Sequence, residues 1–190
     1  KAAVLPYLDN PDSTTQAIGA ANTIAIRDQQ LCATNTDGMG ALDAILHQHP
    51  LAGRHIFIIG AGGAAKAIAY ASYLRKPASI TILNRTLSTV EQLAEKVDGN
   101  AYDFDAFDTH KTRHVDIIIN TIPNTDKNNT RILEVIAPYL SKQLVFMNID
   151  YSNNASLLLT KIKAADCKLV EASAMFTHQA LRQIDYWFRN

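Results

Sequence analysis

The stretch His55-Ile56-Phe57-Ile58-Ile59-Gly60-Ala61-Gly62-Gly63-Ala64-Ala65 carries the strongest structural signal in the chain. Residues 55–59 form a short apolar run that reads as a buried strand, and the alanine-rich residues 64–74 read as a helix. Between them lies the pattern G-x-G-x-x-A. In that setting Gly60 permits a tight turn, Gly62 lets backbone approach a pyrophosphate, and Ala65 lets helix and strand pack closely. The N–H groups of the first helical turn lack intrahelical acceptors and face the phosphates. The spacing predicts a dinucleotide-binding βαβ unit of Rossmann type, with Gly60, Ala61, Gly62, Gly63 and Ala64 as cofactor-binding residues.

The next strand, residues 79–83, runs into Asn84-Arg85-Thr86. A site for NAD usually places an acid here, accepting from the adenine ribose hydroxyls. An amide, a guanidinium and a hydroxyl instead suit a 2′-phosphate, which needs positive charge and many donors. Asn84, Arg85 and Thr86 therefore point to NADP as the cofactor.

Strand and helix alternate from here. Helices are expected at residues 87–96, 131–139, 157–165 and 176–187, and strands at 97–102, 115–120, 144–149 and 168–171. Continuous apolar strands between helices predict an α/β fold with a Rossmann-type doubly wound, mostly parallel sheet covered on both faces. Upstream, residues 2–8 read as a short helix, and Asn10-Pro11-Asp12-Ser13 as a turn. A helix to Ala17, capped by Asp12 or Ser13, follows, then strands at 23–26 and 30–33. The helix after Asn35-Thr36-Asp37-Gly38 has Thr36 or Asp37 as its N-cap. Residues 41–168 are assigned to the NADP-binding domain. Residues 1–40 are too few for a core of their own. They read as the remainder of a second α/β lobe, to which the helix in residues 169–190 returns.

Composition excludes several classes. The 190 residues, 47% hydrophobic, suit one large or two modest domains with a real core. Eighteen basic residues balance eighteen acidic ones, which argues against nucleic-acid or membrane-surface partners. Cys32 and Cys167 have neither disulfide-framework nor zinc-site spacing, so a reducing, cytoplasmic setting fits. His55, His110 and His114 show no ligand spacing, and no metal is expected. No apolar stretch is long enough to span a bilayer. The chain opens at Lys1 rather than methionine, and reads as a piece of a longer protein.

Several further segments join the phosphate loop: Lys1 followed by apolar residues 2–5, Ile18-Gly19-Ala20-Ala21-Asn22-Thr23, Asn35-Thr36-Asp37-Gly38, Asn84-Arg85-Thr86, Asn120-Thr121-Ile122-Pro123, Tyr151, Leu158-Leu159, and Met175 with Gln179. Together they resemble the shikimate dehydrogenase family across nearly the whole chain. The resemblance implies two α/β lobes around a cleft and NADP-dependent, reversible reduction of 3-dehydroshikimate to shikimate, a small-molecule substrate. It leaves a homodimer open. It assigns Lys1 and Asp37 to catalysis, Asn22, Tyr151 and Gln179 to the substrate, and Thr121 to the cofactor set. The chemistry suits these types. An ammonium can donate a proton to a developing alkoxide while a carboxylate orients it, and amides both donate to and accept from a polyhydroxylated substrate.

Taken singly, the same residues have plainer readings. Lys1 reads as a surface lysine, Asp37 as a cap, Asn22 as part of a turn, and Gln179 as a polar helix residue. The chain also departs from the family pattern. It lacks the family's upstream segment with a serine pair for the substrate carboxylate, so the isolated chain is expected to have an incomplete substrate pocket. It has Asn124-Thr125 where Gly-Met is usual, Asn148 for an aspartate, and Ala172 for a glycine. Two alternatives stand beside the main reading: a quinate/shikimate dehydrogenase relative with another substrate or cofactor, and a nucleotide-binding module without turnover.

Overall fold

The computed structural model describes residues 1–46, 49–109, 112, 114–151 and 156–188. His110, one of the histidines considered above, lies outside the described residues. The N-terminal part builds a small sheet in the order β1 (Asn10–Pro11), β3 (Gln30–Thr34), β2 (Thr23–Arg27). Strands β2 and β3 form an antiparallel hairpin. Its two-residue turn, Asp28-Gln29, has positive φ at both positions, the geometry whose twist matches that of the flanking strands.

Asn10-Pro11, expected as a turn, instead forms a two-residue strand, β1, parallel to β3. Proline is tolerated there because β1 is the edge strand. Helix α1 (Ser13–Ile18) is capped by Asp12, whose carboxylate accepts from the Thr15 N–H at 2.7 Å.

The doubly wound sheet follows. Its strands are β4 (His55–Ile59), β5 (Ser79–Asn84), β6 (Asn100–Asp103), β7 (Ile117–Asn120), β8 (Val145–Asn148) and β9 (Lys168–Val170). They lie in the order β6-β5-β4-β7-β8-β9, every pair parallel. The last strand carries the sheet to Val170, two residues beyond the boundary placed at 168.

Alternation across the pleat sorts the strand residues into two cores. Ile56, Ile58, Ile117, Ile119, Val145 and Met147 pack with α2 (Asp37–Leu46), α3 (Gly63–Tyr73) and α4 (Leu87–Lys96). Phe57, Ile59, Ile118 and Phe146 pack with α5 (Asp126–Ile136) and α6 (Leu157–Ala164). Helix α5 begins five residues before the helix expected at 131. The final helix, α7 (Ala172–Phe188), begins four residues before the expected Phe176.

Helix α7 returns to the small lobe. The Trp187 indole N–H donates to the Ile24 carbonyl at 3.0 Å, and the Arg27 guanidinium lies 4.4 Å from the Tyr186 ring centre. Arg182 grips the Asp43 carboxylate on α2 through two N–H groups. Helix α2 meets both lobes closely. A Cβ on Gly40 would stand 2.7 Å from the Gln179 Cβ, and one on Gly38 would meet the Ala67 backbone of α3. No helix among the described residues is long and apolar enough to cross a membrane.

Candidate active site

The strand order reverses at β4, which lies between β5 and β7. Ligands of open α/β sheets bind in the crevice beyond the carboxyl ends of the strands at such a point. The loop after β4 sits there. Gly60 has φ +111, and a Cβ on it would collide with Thr121 Oγ1 and come within 2.9 Å of Ile122 Cγ2. The fold itself therefore demands glycine at 60. Thr121 closes the other side of the crevice, its hydroxyl donating to the Ile59 carbonyl at 2.7 Å.

Gly62 differs. It is the N-cap residue of α3 with an ordinary φ of −76, and a Cβ there would meet nothing within 4 Å. Around Gly63 the nearest such atom is Lys1 Cδ, at 4.0 Å. No packing among the described residues calls for two glycines at this helix start. An open cradle at a helix N-terminus, lined by first-turn N–H groups, fits a dinucleotide pyrophosphate. Ala61 and Ala65 are buried beneath the loop, and Ala64 is half-buried.

Beyond β5, Asn84 is half-buried and its amide donates to the Thr86 carbonyl at 3.5 Å, while Arg85 and Thr86 are exposed. Asn84 and Arg85 line a cavity of about 290 Å³ with Phe104, Ile122 and Pro123. Lys127, Asn128 and Arg131 of α5 complete its wall. The sequence reading did not include these three. Starting the helix at 131 hid that 127 and 131 are one turn apart on a single helix.

The structure brings Lys1, Asp37 and Asn22 together. Asp37, 2% exposed, ion-pairs with the Lys1 ammonium and accepts from the Asn22 amide at 2.7 Å. Its carboxylate is thus committed to these partners. The helix start is held by others: the Asn35 side chain accepts from the Asp37 N–H at 3.0 Å, and the Asn22 side-chain Oδ1 accepts from the Thr36 N–H at 3.0 Å. Of the two caps considered, Thr36 occupies the position before the helix, and Asp37 is its first residue.

Gln179 packs its backbone and Cβ against Gly40 of α2, one turn beyond Asp37. One turn on, the Gln183 amide contacts the Asn22 carbonyl at 3.5 Å, a residue that sequence reasoning missed. Tyr151 stands apart: it is 70% exposed and makes no hydrogen bond to this cluster among the described residues. Two of the departures from the family pattern lie together at the carboxyl ends of β7 and β8. Asn148 accepts from Asn120 at 2.9 Å and donates to the Asp150 carbonyl, while the Asn124 N–H donates to the Asp150 carboxylate at 2.6 Å. An aspartate at 148 would lack that donor.

Comparison with known proteins follows the same outline. The sequence profile described as shikimate / quinate 5-dehydrogenase matches residues 43–153. The chain is similar to the shikimate biosynthesis protein AroDE of Chlamydia pneumoniae, at 34% identity over 99% of this chain and 37% of that protein. It is also similar to the shikimate dehydrogenase (NADP(+)) of Methanocaldococcus jannaschii, at 33% identity over 98% of this chain and 68% of that one. Among solved structures, the 5-ketofructose reductase of Gluconobacter sp. strain CHM43 superimposes with a TM-score of 0.82 at 29% identity, covering 99% of this chain and 70% of that one. The chain spans only about 37% of the length of the chlamydial AroDE proteins it matches. With most of the sheet inside the matched profile and two thirds of an archaeal relative aligned, the chain belongs to the shikimate/quinate 5-dehydrogenase family.

Proposed function

We propose that this chain carries the cofactor site and the proton-transfer pair of an NADP-dependent dehydrogenase that interconverts 3-dehydroshikimate and shikimate. One observation supports it above the rest: the Lys1–Asp37–Asn22 cluster adjoins the phosphate loop, with Lys1 Cδ 4.0 Å from where a Gly63 Cβ would stand. A proton donor beside a dinucleotide cradle is what carbonyl reduction requires. A dinucleotide held by its pyrophosphate at the Gly62-Gly63 cradle would supply or take the hydride through its nicotinamide. The chain's own residues handle the proton. Lys1 Nζ donates it to the alkoxide oxygen as the carbonyl is reduced, and takes it back in the reverse direction. Asp37, buried and held by Asn22, fixes the ammonium in place and offsets its charge. Asn22 and Gln179 offer amides to substrate hydroxyls, and Tyr151 is assigned to the substrate with them on the family pattern. Arg85, with Asn84 and Thr86, selects the 2′-phosphate of NADP over NAD. The name of the archaeal relative, which specifies NADP(+), agrees with this choice.

A second reading keeps the machinery and changes the substrate. The likeness to a 5-ketofructose reductase favours another polyhydroxylated ketone. Steady-state assays with NADP+ and shikimate, NADP+ and quinate, and NADPH and 5-ketofructose discriminate between these. Turnover highest with shikimate supports the main reading, and a preference for either other substrate replaces it. In the full-length protein, nucleotide binding without turnover on any of the three leaves a binding module and overturns both.

A further inference from the structure

The cavity beside Arg85 is more basic than the sequence after β5 accounts for. That segment contributes one cation, since Leu87-Ser88-Thr89 in the first turn of α4 carries none. Yet three cationic side chains line the cavity: Arg85 from the end of β5, and Lys127 and Arg131 from α5. No carboxylate is among the lining residues. Resting on the dinucleotide reading above, we propose that Lys127 and Arg131 of α5 act with Arg85 as the determinants that hold the adenosine 2′-phosphate and reject the unphosphorylated ribose.

The geometry supports a charge-reading role for this wall. Lys127 and Arg131 are four residues apart on one helix, so their side chains share a face. Arg131 is stacked over Phe104, its guanidinium carbon 4.6 Å from the ring centre. Stacking occupies the face of a guanidinium and leaves its donor edge available for an anion. Its carboxylate partner, Asp105, lies outside the cavity lining and is 92% exposed. An ion pair to so exposed a partner is weak, and a phosphate can displace it. Arg85 and Lys127 have no ion-pair partner among the described residues.

The opposite requirement comes from the ligand. A phosphate monoester carries nearly two negative charges at neutral pH and three acceptor oxygens. One exposed guanidinium satisfies only part of that. A ribose bearing two free hydroxyls has no charge to offer, so three converging cations gain little from it. Ile122, Pro123 and the Phe104 ring give the same cavity an apolar wall suited to the face of a base. The two halves of a phosphoadenosine thus find different surfaces.

Calorimetric titration of the protein with 2′-AMP and with 5′-AMP, followed by NADP+ and NAD+, tests this. Lys127→Gln and Arg131→Gln should each weaken 2′-AMP and NADP+ by about tenfold, one charge-assisted contact apiece. Affinity for 5′-AMP and NAD+ should stay close to that of the unmodified protein. Arg131→Lys, which keeps the charge, should recover much of the loss, and circular dichroism checks that the variants fold. Equal losses for 2′-AMP and 5′-AMP would show that α5 reads the base, and would overturn the proposal. So would unchanged 2′-AMP binding in both glutamine variants while Arg85→Ala weakens it, which leaves the cofactor reading standing without α5. Failure of the unmodified protein to bind NADP+ or 2′-AMP defeats the cofactor reading itself, and this inference with it.

Discussion

Gly60 and Gly62 are two residues apart, yet substituting them should fail in opposite ways. At Gly60 an alanine must adopt φ +111, a region that costs a non-glycine residue about 1–3 kcal/mol. Its Cβ would also stand 2.9 Å from Ile122 Cγ2 and closer still to Thr121 Oγ1. Relief means moving the loop after β7, an overpacking cost of about 1–3 kcal/mol. The sum is about 2–6 kcal/mol, which for a chain of this size lowers the melting temperature by on the order of 10 °C. At Gly62 the φ is −76 and nothing lies within 4 Å of the new methyl. Reduced freedom of the unfolded chain and a poorer N-cap act in opposite directions there, so the net change stays within about 1 kcal/mol. Nucleotide binding reverses the ranking. A side chain at 62 pushes the pyrophosphate off the first-turn N–H groups, and one lost charge-assisted bond weakens NADP+ by about ten- to a hundredfold. Thermal melts of Gly60→Ala and Gly62→Ala, with calorimetric titration of Gly62→Ala and Gly62→Val, read both quantities. Equal melting losses in the two alanine variants would refute the packing argument. NADP+ affinity in Gly62→Val equal to that of the unmodified protein would refute the cradle.

Asp37→Asn keeps the volume and one acceptor oxygen, so the fold and NADP+ affinity should hold. On the proposed function, the kcat of the full-length protein for shikimate oxidation should drop on the order of 100-fold or more, and an unchanged kcat removes Asp37 from the chemistry. Burial, reinforced by the Lys168 and Arg54 charges, lowers the His49 pKa below its ordinary 6.5. A base lowered on folding takes its proton more readily when unfolded. Its stabilising contribution is full above 6.5 and is lost as pH falls through that value toward the lower folded one. Urea melts across this range should show that slope, and His49→Gln should flatten it; an equal slope in both proteins rejects the assignment. Arg182→Ala removes the two-pronged grip on Asp43, and should cost about 1 kcal/mol while speeding amide exchange in α7. Unaltered exchange there would mean that the pair does not hold α7 to α2.

The central βαβ unit was legible because its strands are continuous apolar runs and its loop places small residues where geometry needs them. Other elements were hidden for specific reasons. The buried face of α5 is Asn129, Ile132, Val135 and Ile136. Asn129 sits where a periodicity scan seeks an apolar residue, so the first turn read as loop and Lys127 was lost with it. The start of α7 is marked only by Ala172-Ser173-Ala174, small residues without an apolar stripe. The strand at Asn10-Pro11 exists through bonds to a distant segment, with the Asp9 N–H donating to Leu31 and the Asp12 N–H to Ala33. Nothing local announces it. At the site, composition and spacing left Lys1, Asp37 and Asn22 as a surface lysine, a cap and a turn residue. Their convergence is a tertiary fact. The family resemblance named all three in advance, and also named Tyr151, which stands outside the cluster.

The bond from the Thr121 hydroxyl to the Ile59 carbonyl spans 62 residues of chain. Between its ends come α3, β5, α4 and β6, all of which precede β7 in synthesis and in any N-to-C assembly. Pairing of β4 with β5 closes a much shorter loop than pairing of β4 with β7, and closure entropy favours the shorter one first. Until β7 docks, the loop after β4 lacks the neighbours that press on Gly60. Its sharp bend is then one conformation among many. The cradle is therefore set when β7 docks on β4, and competence to hold a nucleotide marks that docking rather than the first pairing of the sheet.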